Sequence, residues 1–143
     1  MNKPNSKFRS NARKLALQAL YQWLVSNVSV ADVEQQFLQH QKLNKVDVPY
    51  FQELLKGIPE QAHILDEQMS PILDRTISEL DPVELIIMRI AIYELLYRID
   101  VPYRVVINEA LELAKTFGST DGFKYVNGIL DKVAKKVRAA EMK

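Results

Sequence analysis

The sequence predicts an all-α protein: two small helical bundles packed around a buried central helix, about seven helices in all. Three observations lead there. The 143 residues include only four glycines and no cysteine, and few runs of β-branched residues alternate as a strand would need. Apolar residues recur instead at three- and four-residue steps. One stretch, Val83 to Ile99, is apolar around nearly its whole circumference, which suits a helix inside a protein rather than on its surface.

That stretch, VELIIMRIAIYELLYRI, carries four charged side chains in seventeen positions: Glu84, Arg89, Glu94 and Arg98. At about 100° per residue, Glu84, Glu94 and Arg98 share one sector and Arg89 lies roughly opposite. Asp81-Pro82 marks the start, an N-cap acceptor followed by a first-turn proline. Asp100-Val101-Pro102 marks the end, because the residue before a proline is pushed out of the helical region. A membrane span needs roughly 20 uninterrupted apolar residues, and charges recur here too often for one. Arg89 is either an anion hook or internally paired, with Glu94 or Glu109 as partners, since a buried unpaired charge is costly.

The other elements follow in order. Residues 1–9 lack periodicity, and a first helix runs from about Ser10 to Leu24. Ala12, Leu15, Ala16, Ala19, Leu20, Trp23 and Leu24 form its apolar face, with Tyr21 at the border of the polar edge. A second helix starts at Ser29, with Asp32 completing a weak capping box, and ends near His40. Asp47 caps a third, which buries Phe51, Leu54, Leu55 and Ile58. Pro59 predicts a kink there, because it lacks an amide hydrogen and crowds the Leu55 carbonyl. Pro71 to Leu80 reads as a short fourth helix. After the central helix, Pro102 opens another, ending at Phe117-Gly118, with Gly118 as a left-handed cap. The last helix spans 121–138 and buries Phe123, Val126, Leu130, Val133 and Val137. Gly128 in it reads as a point of close helix approach. The whole is one domain, 1–143, with sub-bundles over about 10–80 and 81–138.

Hydrophobic residues make up 48% and charged ones 26%, an ordinary globular composition. The absence of cysteine excludes disulfides and thiolate metal sites and suits an intracellular, cytoplasmic protein. The N-terminal basic residues are not followed by a signal-like apolar run. The net charge of +1 hides an asymmetry: residues 1–31 hold five bases and no acid, 131–143 five bases and two acids, and 32–130 nine bases and sixteen acids. Such separation suggests either a polyanion-binding surface beside an acidic one or solvated basic ends.

Nothing in the sequence looks catalytic. His40 and His63 have no neighbour at ligand spacing, and there is no phosphate loop, nucleophile elbow or zinc motif. No enzyme activity, cofactor or metal is expected. A binding protein remains. Basic residues near the N-terminus, projecting from an exposed end, can neutralise phosphates. Asp121-Gly122-Phe123-Lys124-Tyr125 sets an acceptor, a cation and an aromatic at a helix start, groups that read and stack unpaired bases. Tyr125 can alternatively be a core residue. A helical protein–protein adaptor without a nucleic-acid role is the other reading.

Four segments carry a resemblance: A-R-K-L-A-L-Q-A-L-Y-Q (12–22), L-I-I-M-R-I-A-I-Y-E-L (85–95), D-V-P-Y-R-V-V-I-N-E-A-L-E-L-A-K (100–115) and Y-V-N-G-I-L-D-K (125–132). Together they resemble the bacterial NusB family of transcription antitermination proteins, in order and over nearly the whole chain. The same domain also occurs fused to ribosomal RNA methyltransferases, and a chain ending soon after the last motif is expected to be the unfused form. The resemblance implies a fold of two helical bundles, pairing with NusE, a small-subunit ribosomal protein, and binding of boxA-type single-stranded RNA in nascent ribosomal transcripts. It also implies membership of the antitermination complex on elongating RNA polymerase, with no membrane role. By the same resemblance, RNA contacts map onto Lys3, Lys7, Arg9, Arg13, Asp121, Lys124 and Tyr125. Contacts with NusE map onto Tyr21 and Glu84. Neither of those two lies in the basic stretch, so the RNA and partner surfaces are expected to be separate.

Overall fold

The computed structural model describes residues 6–40 and 42–142, apart from the side chain of His40. Among them are six α-helices, two 3-10 turns and no strand. The helices are α1 (Ser6–Val25), α2 (Val30–His40), α3 (Val48–Met69), α4 (Pro82–Tyr97), α5 (Tyr103–Phe117) and α6 (Gly122–Val137). The chain divides into two compact units between Glu60 and Gln61, inside α3 and just after Pro59, upstream of the division near residue 80 read from the sequence.

In the first unit, α1 begins at Ser6, four residues before the expected start. Contacts to the α2–α3 connection hold that extra turn. The Asp47 N–H donates to Phe8 O at 3.1 Å, and Asn11 Nδ2 donates to Lys45 O at 2.9 Å. Ser29 Oγ accepts the Asp32 N–H ahead of α2, and Asp47 Oδ1 accepts the Tyr50 N–H at the start of α3. Both are side-chain caps of the kind the sequence signals. Phe37 on α2 meets Phe51 on α3 with ring centroids 6.4 Å apart. The α3 helix runs on through Pro59; buried Leu54, Leu55, Ile58, Leu65 and Met69 on either side hold it in register.

In the second unit, α4 buries twelve of its residues, from Glu84 to Leu95. Asp81 Oδ1 caps it, accepting the Val83 and Glu84 N–H groups at 2.8 and 3.2 Å. The other end is closed from α6. Buried Arg138 donates to the carbonyls of Leu95, Glu94 and Arg98 at 2.8, 3.2 and 3.1 Å, so a cation satisfies the orphan acceptors of a helix C-terminus. Glu141 binds the same guanidinium and accepts the Tyr103 N–H at 2.8 Å; that N–H holds its carboxyl below the usual range. Arg138, counted in the sequence as part of a basic end, is a structural residue.

Four expectations change here. The segment after Pro71 forms only a 3-10 turn, Ile77–Glu79, because Glu79 folds back to accept the Thr76 N–H and O–H, each at 2.8 Å. Arg89 pairs with Asp66 of α3, at 2.9 and 2.8 Å in a two-pronged contact, rather than with Glu94 or Glu109. Gly118 caps α5 in an extended conformation, φ −86° and ψ −176°, not a left-handed one. Gly128 is exposed with open space around it, so no helix approaches there. The close approach falls at Gly122, where an added Cβ would overlap Glu84 Oε2.

Candidate functional site

Site residues of the first unit lie along α1. Lys3 falls outside the described residues. Lys7 is exposed on the first turn. Arg9 and Arg13 do not project from an exposed end: Arg13 is only 3% exposed, and the Arg9 side chain is 15% exposed. Their guanidinium carbons sit 4.4 and 5.5 Å from the Tyr50 ring centroid, and Arg9 Nε is 3.7 Å from Asp47 Oδ2. Tyr50 is itself buried. The two arginines therefore fasten α1 to the start of α3 through cation–π and ionic contacts. Sequence charge alone could not show this, since Tyr50 is some forty residues away. At the other end of α1, Tyr21 is 41% exposed, with Leu24, Val25 and Val28 also exposed nearby in sequence. Leu24, expected on the core face, belongs to that exposed set.

In the second unit, α6 starts without a side-chain cap: the Asp121 carboxylate accepts no helix N–H. Backbone bonds close the turn instead, Gly122 N–H to Ser119 O at 3.0 Å and Lys124 N–H to Asp121 O at 3.1 Å. Asp121 is thereby left facing solvent, 3.6 Å from Lys124 Nζ, both side chains at least 70% exposed. Exposed pairs of this kind are weak and open readily for a competing ligand. The half-buried Phe123 ring has Lys115 Nζ 5.2 Å and Lys124 Nζ 6.0 Å from its centroid, so Phe123 borders the charged surface rather than the core alone. Lys115 adds a cation that its place on α5 had concealed.

Tyr125 is half-buried, and its environment comes from a distant loop. Its hydroxyl donates to Asp74 Oδ1 at 3.2 Å, and the Arg75 guanidinium carbon lies 4.7 Å from the ring centroid. Partial burial, then the bond to Asp74, pushes the phenol above its ordinary value. Asp74 is held low, chiefly by the Arg75 guanidinium bonded to it. Neither residue carried a sequence signal.

Glu84 is 7% exposed. Its Oε2 accepts the Ser119 hydroxyl at 2.7 Å and lies 3.4 Å from the Ser119 N–H, so this acid from α4 reaches under the turn that carries Asp121, Lys124 and Tyr125. Glu84, expected to lie apart from the candidate RNA residues, thus sits beside the turn that carries three of them. Among the described residues no group of acids and histidines is arranged to hold a metal ion, and no helix is long and apolar enough to cross a membrane.

Residues 10–135 match the NusB family. The chain belongs to that family. Its NusB relatives include the transcription antitermination protein NusB of Alcanivorax borkumensis, 54% identical over 142 residues, covering 99% of this chain and 95% of that protein. The Shewanella amazonensis protein of the same name is 57% identical over 125 residues, covering 87% and 93%. A solved NusB structure from T. maritima superposes with a TM-score of 0.81 at 28% identity, over 99% of both chains. The described residues therefore share the NusB fold.

Tyr125→Ala is expected to lose about 1–3 kcal/mol of RNA affinity if the ring stacks on a base. Tyr125→Phe loses the Asp74 bond as well as keeping the ring, so its loss is expected to lie between wild type and Ala. Fluorescence anisotropy with labelled RNA checks both. An unfolded Tyr125→Ala protein would mark the residue as core.

Proposed function

We propose that this protein is an RNA-binding antitermination factor that pairs with NusE, binds boxA RNA of nascent ribosomal transcripts and acts with elongating RNA polymerase in the cytoplasm. It works by binding, not catalysis, and needs no cofactor. The observation that carries the reading is the family match over residues 10–135, with relatives named as transcription antitermination proteins. The Asp121, Lys124 and Tyr125 set, two exposed charges and a half-buried ring, supports it, because an acceptor, a cation and a ring suit unpaired bases.

In this reading Asp121, Lys124 and Tyr125 contact RNA directly, and Lys7, with Lys3, supplies phosphate contacts. Arg9 and Arg13 contribute positive potential and hold the first turns of α1 in place. Tyr21 contacts NusE through its exposed ring, and Glu84, the other NusE residue of this reading, acts from beneath the turn that carries Asp121. The exposed apolar residues near Tyr21 would equally serve an adaptor with no RNA role. Titrating labelled boxA RNA with the protein, with and without NusE, decides between them: no binding at moderate salt in either mixture would leave the adaptor.

A charge test follows. Lys7→Ala is expected to leave the urea midpoint unchanged and to lower the log–log salt slope of RNA binding by about 0.7, one single-strand phosphate contact. Arg9→Ala with Arg13→Ala is expected to weaken binding and also lower the urea midpoint, because both side chains pack on Tyr50. A full-strength midpoint in the double variant would overturn their structural role.

A further inference from the structure

We propose that Asp74 and Arg75, on the loop between α3 and the 3-10 turn, belong to the RNA-binding surface: Arg75 covers one face of the Tyr125 ring, Asp74 positions both, and the unpaired base stacks on the face left open. The proposal rests on the reading of Tyr125 as an RNA contact.

The geometry behind it is a three-residue unit. Arg75 places Nε and Nη2 on the two Asp74 oxygens, at 2.8 and 3.2 Å. The Tyr125 hydroxyl reaches Oδ1 of the same carboxylate, and the Arg75 guanidinium carbon stands over the ring. One acid thus fixes the hydroxyl end of the ring and the cation above it. The loop is also tied down on its far side, where Glu79 accepts the Thr76 N–H and O–H. The unit is therefore organised before any ligand arrives, although the Arg75 and Asp74 side chains are 45% and 66% exposed. A half-buried aromatic tied at its hydroxyl and covered on one face by a guanidinium is a platform of fixed orientation, and fixed orientation lowers the ordering cost of binding.

The charge balance separates two roles for Arg75. Its charge is largely matched by Asp74, so it adds little long-range attraction for phosphate. Its Nη1 edge forms no bond to any described residue and is available to the nucleotide resting beside the ring. Arg75 therefore acts at short range, by stacking and hydrogen bonding, whereas Lys7 and Lys124 supply charge. This predicts a specific pattern: loss of affinity at Arg75 with little change in salt slope.

The test uses the full-length protein and a 5′-labelled boxA RNA oligonucleotide, read by anisotropy over a salt series. Arg75→Ala and Asp74→Ala are each expected to weaken binding roughly three- to tenfold with the melting curve close to wild type; the salt slope should stay nearly unchanged in Arg75→Ala and rise in Asp74→Ala, which leaves the Arg75 charge unmatched. Asp74→Asn, which still accepts the phenol hydrogen, is expected to recover part of the loss. In a Tyr125→Ala background, Arg75→Ala should add nothing further, because the two act as one unit. The Tyr125 phenol, followed by NMR, should titrate lower in Asp74→Asn than in wild type; an unchanged titration would overturn the positioning role. If Tyr125→Ala weakens binding while both loop variants bind as wild type, the loop proposal fails alone. If Tyr125→Ala itself binds as wild type, the underlying reading of Tyr125 fails.

Discussion

Ile90→Ala is expected to lower unfolding free energy by about 2–5 kcal/mol, read as a lower urea midpoint with an unchanged m-value. Ile90 is 2% exposed in the middle of α4, the helix with twelve buried residues. Truncation there removes three buried carbons and leaves a cavity that close-packed neighbours fill only in part. The two ends of α4 are pinned, by Asp81 at the start and by Arg138 at the finish, so the helix is poorly placed to shift into the void. Since whole domains are stable by only about 5–15 kcal/mol, one residue can remove a large share. An unchanged midpoint would mean that α4 is not the core of its unit.

Legibility in the sequence followed the range of the interaction. Helix periodicity, the Asp81 cap, the Ser29 and Asp47 starts and the stop before Pro102 are all written within a few residues of where they act, and they could be read directly. The all-α class came from the same local signals. What stayed hidden was what covers each charged side chain. A helical wheel places Arg89 opposite Glu84 but says nothing of Asp66, twenty-three positions away. Arg138 reads as one more base in a basic tail, and only the folded chain brings it under the α4 carbonyls. Arg9 and Arg13 read as an exposed patch because Tyr50 lies in another helix. Asn127-Gly128 drew attention by composition, whereas the glycine that matters sterically, Gly122, sat inside a stretch read for its charge and aromatic groups. Tyr125 was legible as a candidate; its partners Asp74 and Arg75, fifty residues back, were not.

Glu84→Lys is expected to weaken RNA binding both with and without NusE, and to cost roughly 2–4 kcal/mol of stability. In the wild type the buried carboxylate accepts the Ser119 hydroxyl beneath the start of α6, where a helix N-terminus favours negative charge. A lysine there offers only donors to a site built of donors, and Gly122 leaves no space beside it. The turn carrying Asp121 must move, and Lys124 and Tyr125 with it. Glu84→Gln keeps the volume and one acceptor, so it should fall between Lys and wild type. Tyr21→Asp makes the contrast: its ring is exposed on α1, so the change should abolish partner binding by placing a charge in that contact, while unassisted RNA affinity and stability remain. In the wild type NusE should tighten RNA binding and RNA should tighten NusE binding by the same factor; Tyr21→Asp should lose that enhancement alone. Anisotropy on the four proteins with and without NusE, alongside urea melts, reads all of this. A Glu84→Lys protein that binds RNA by itself as tightly as wild type would show that the acid under Ser119 does not set the position of the turn.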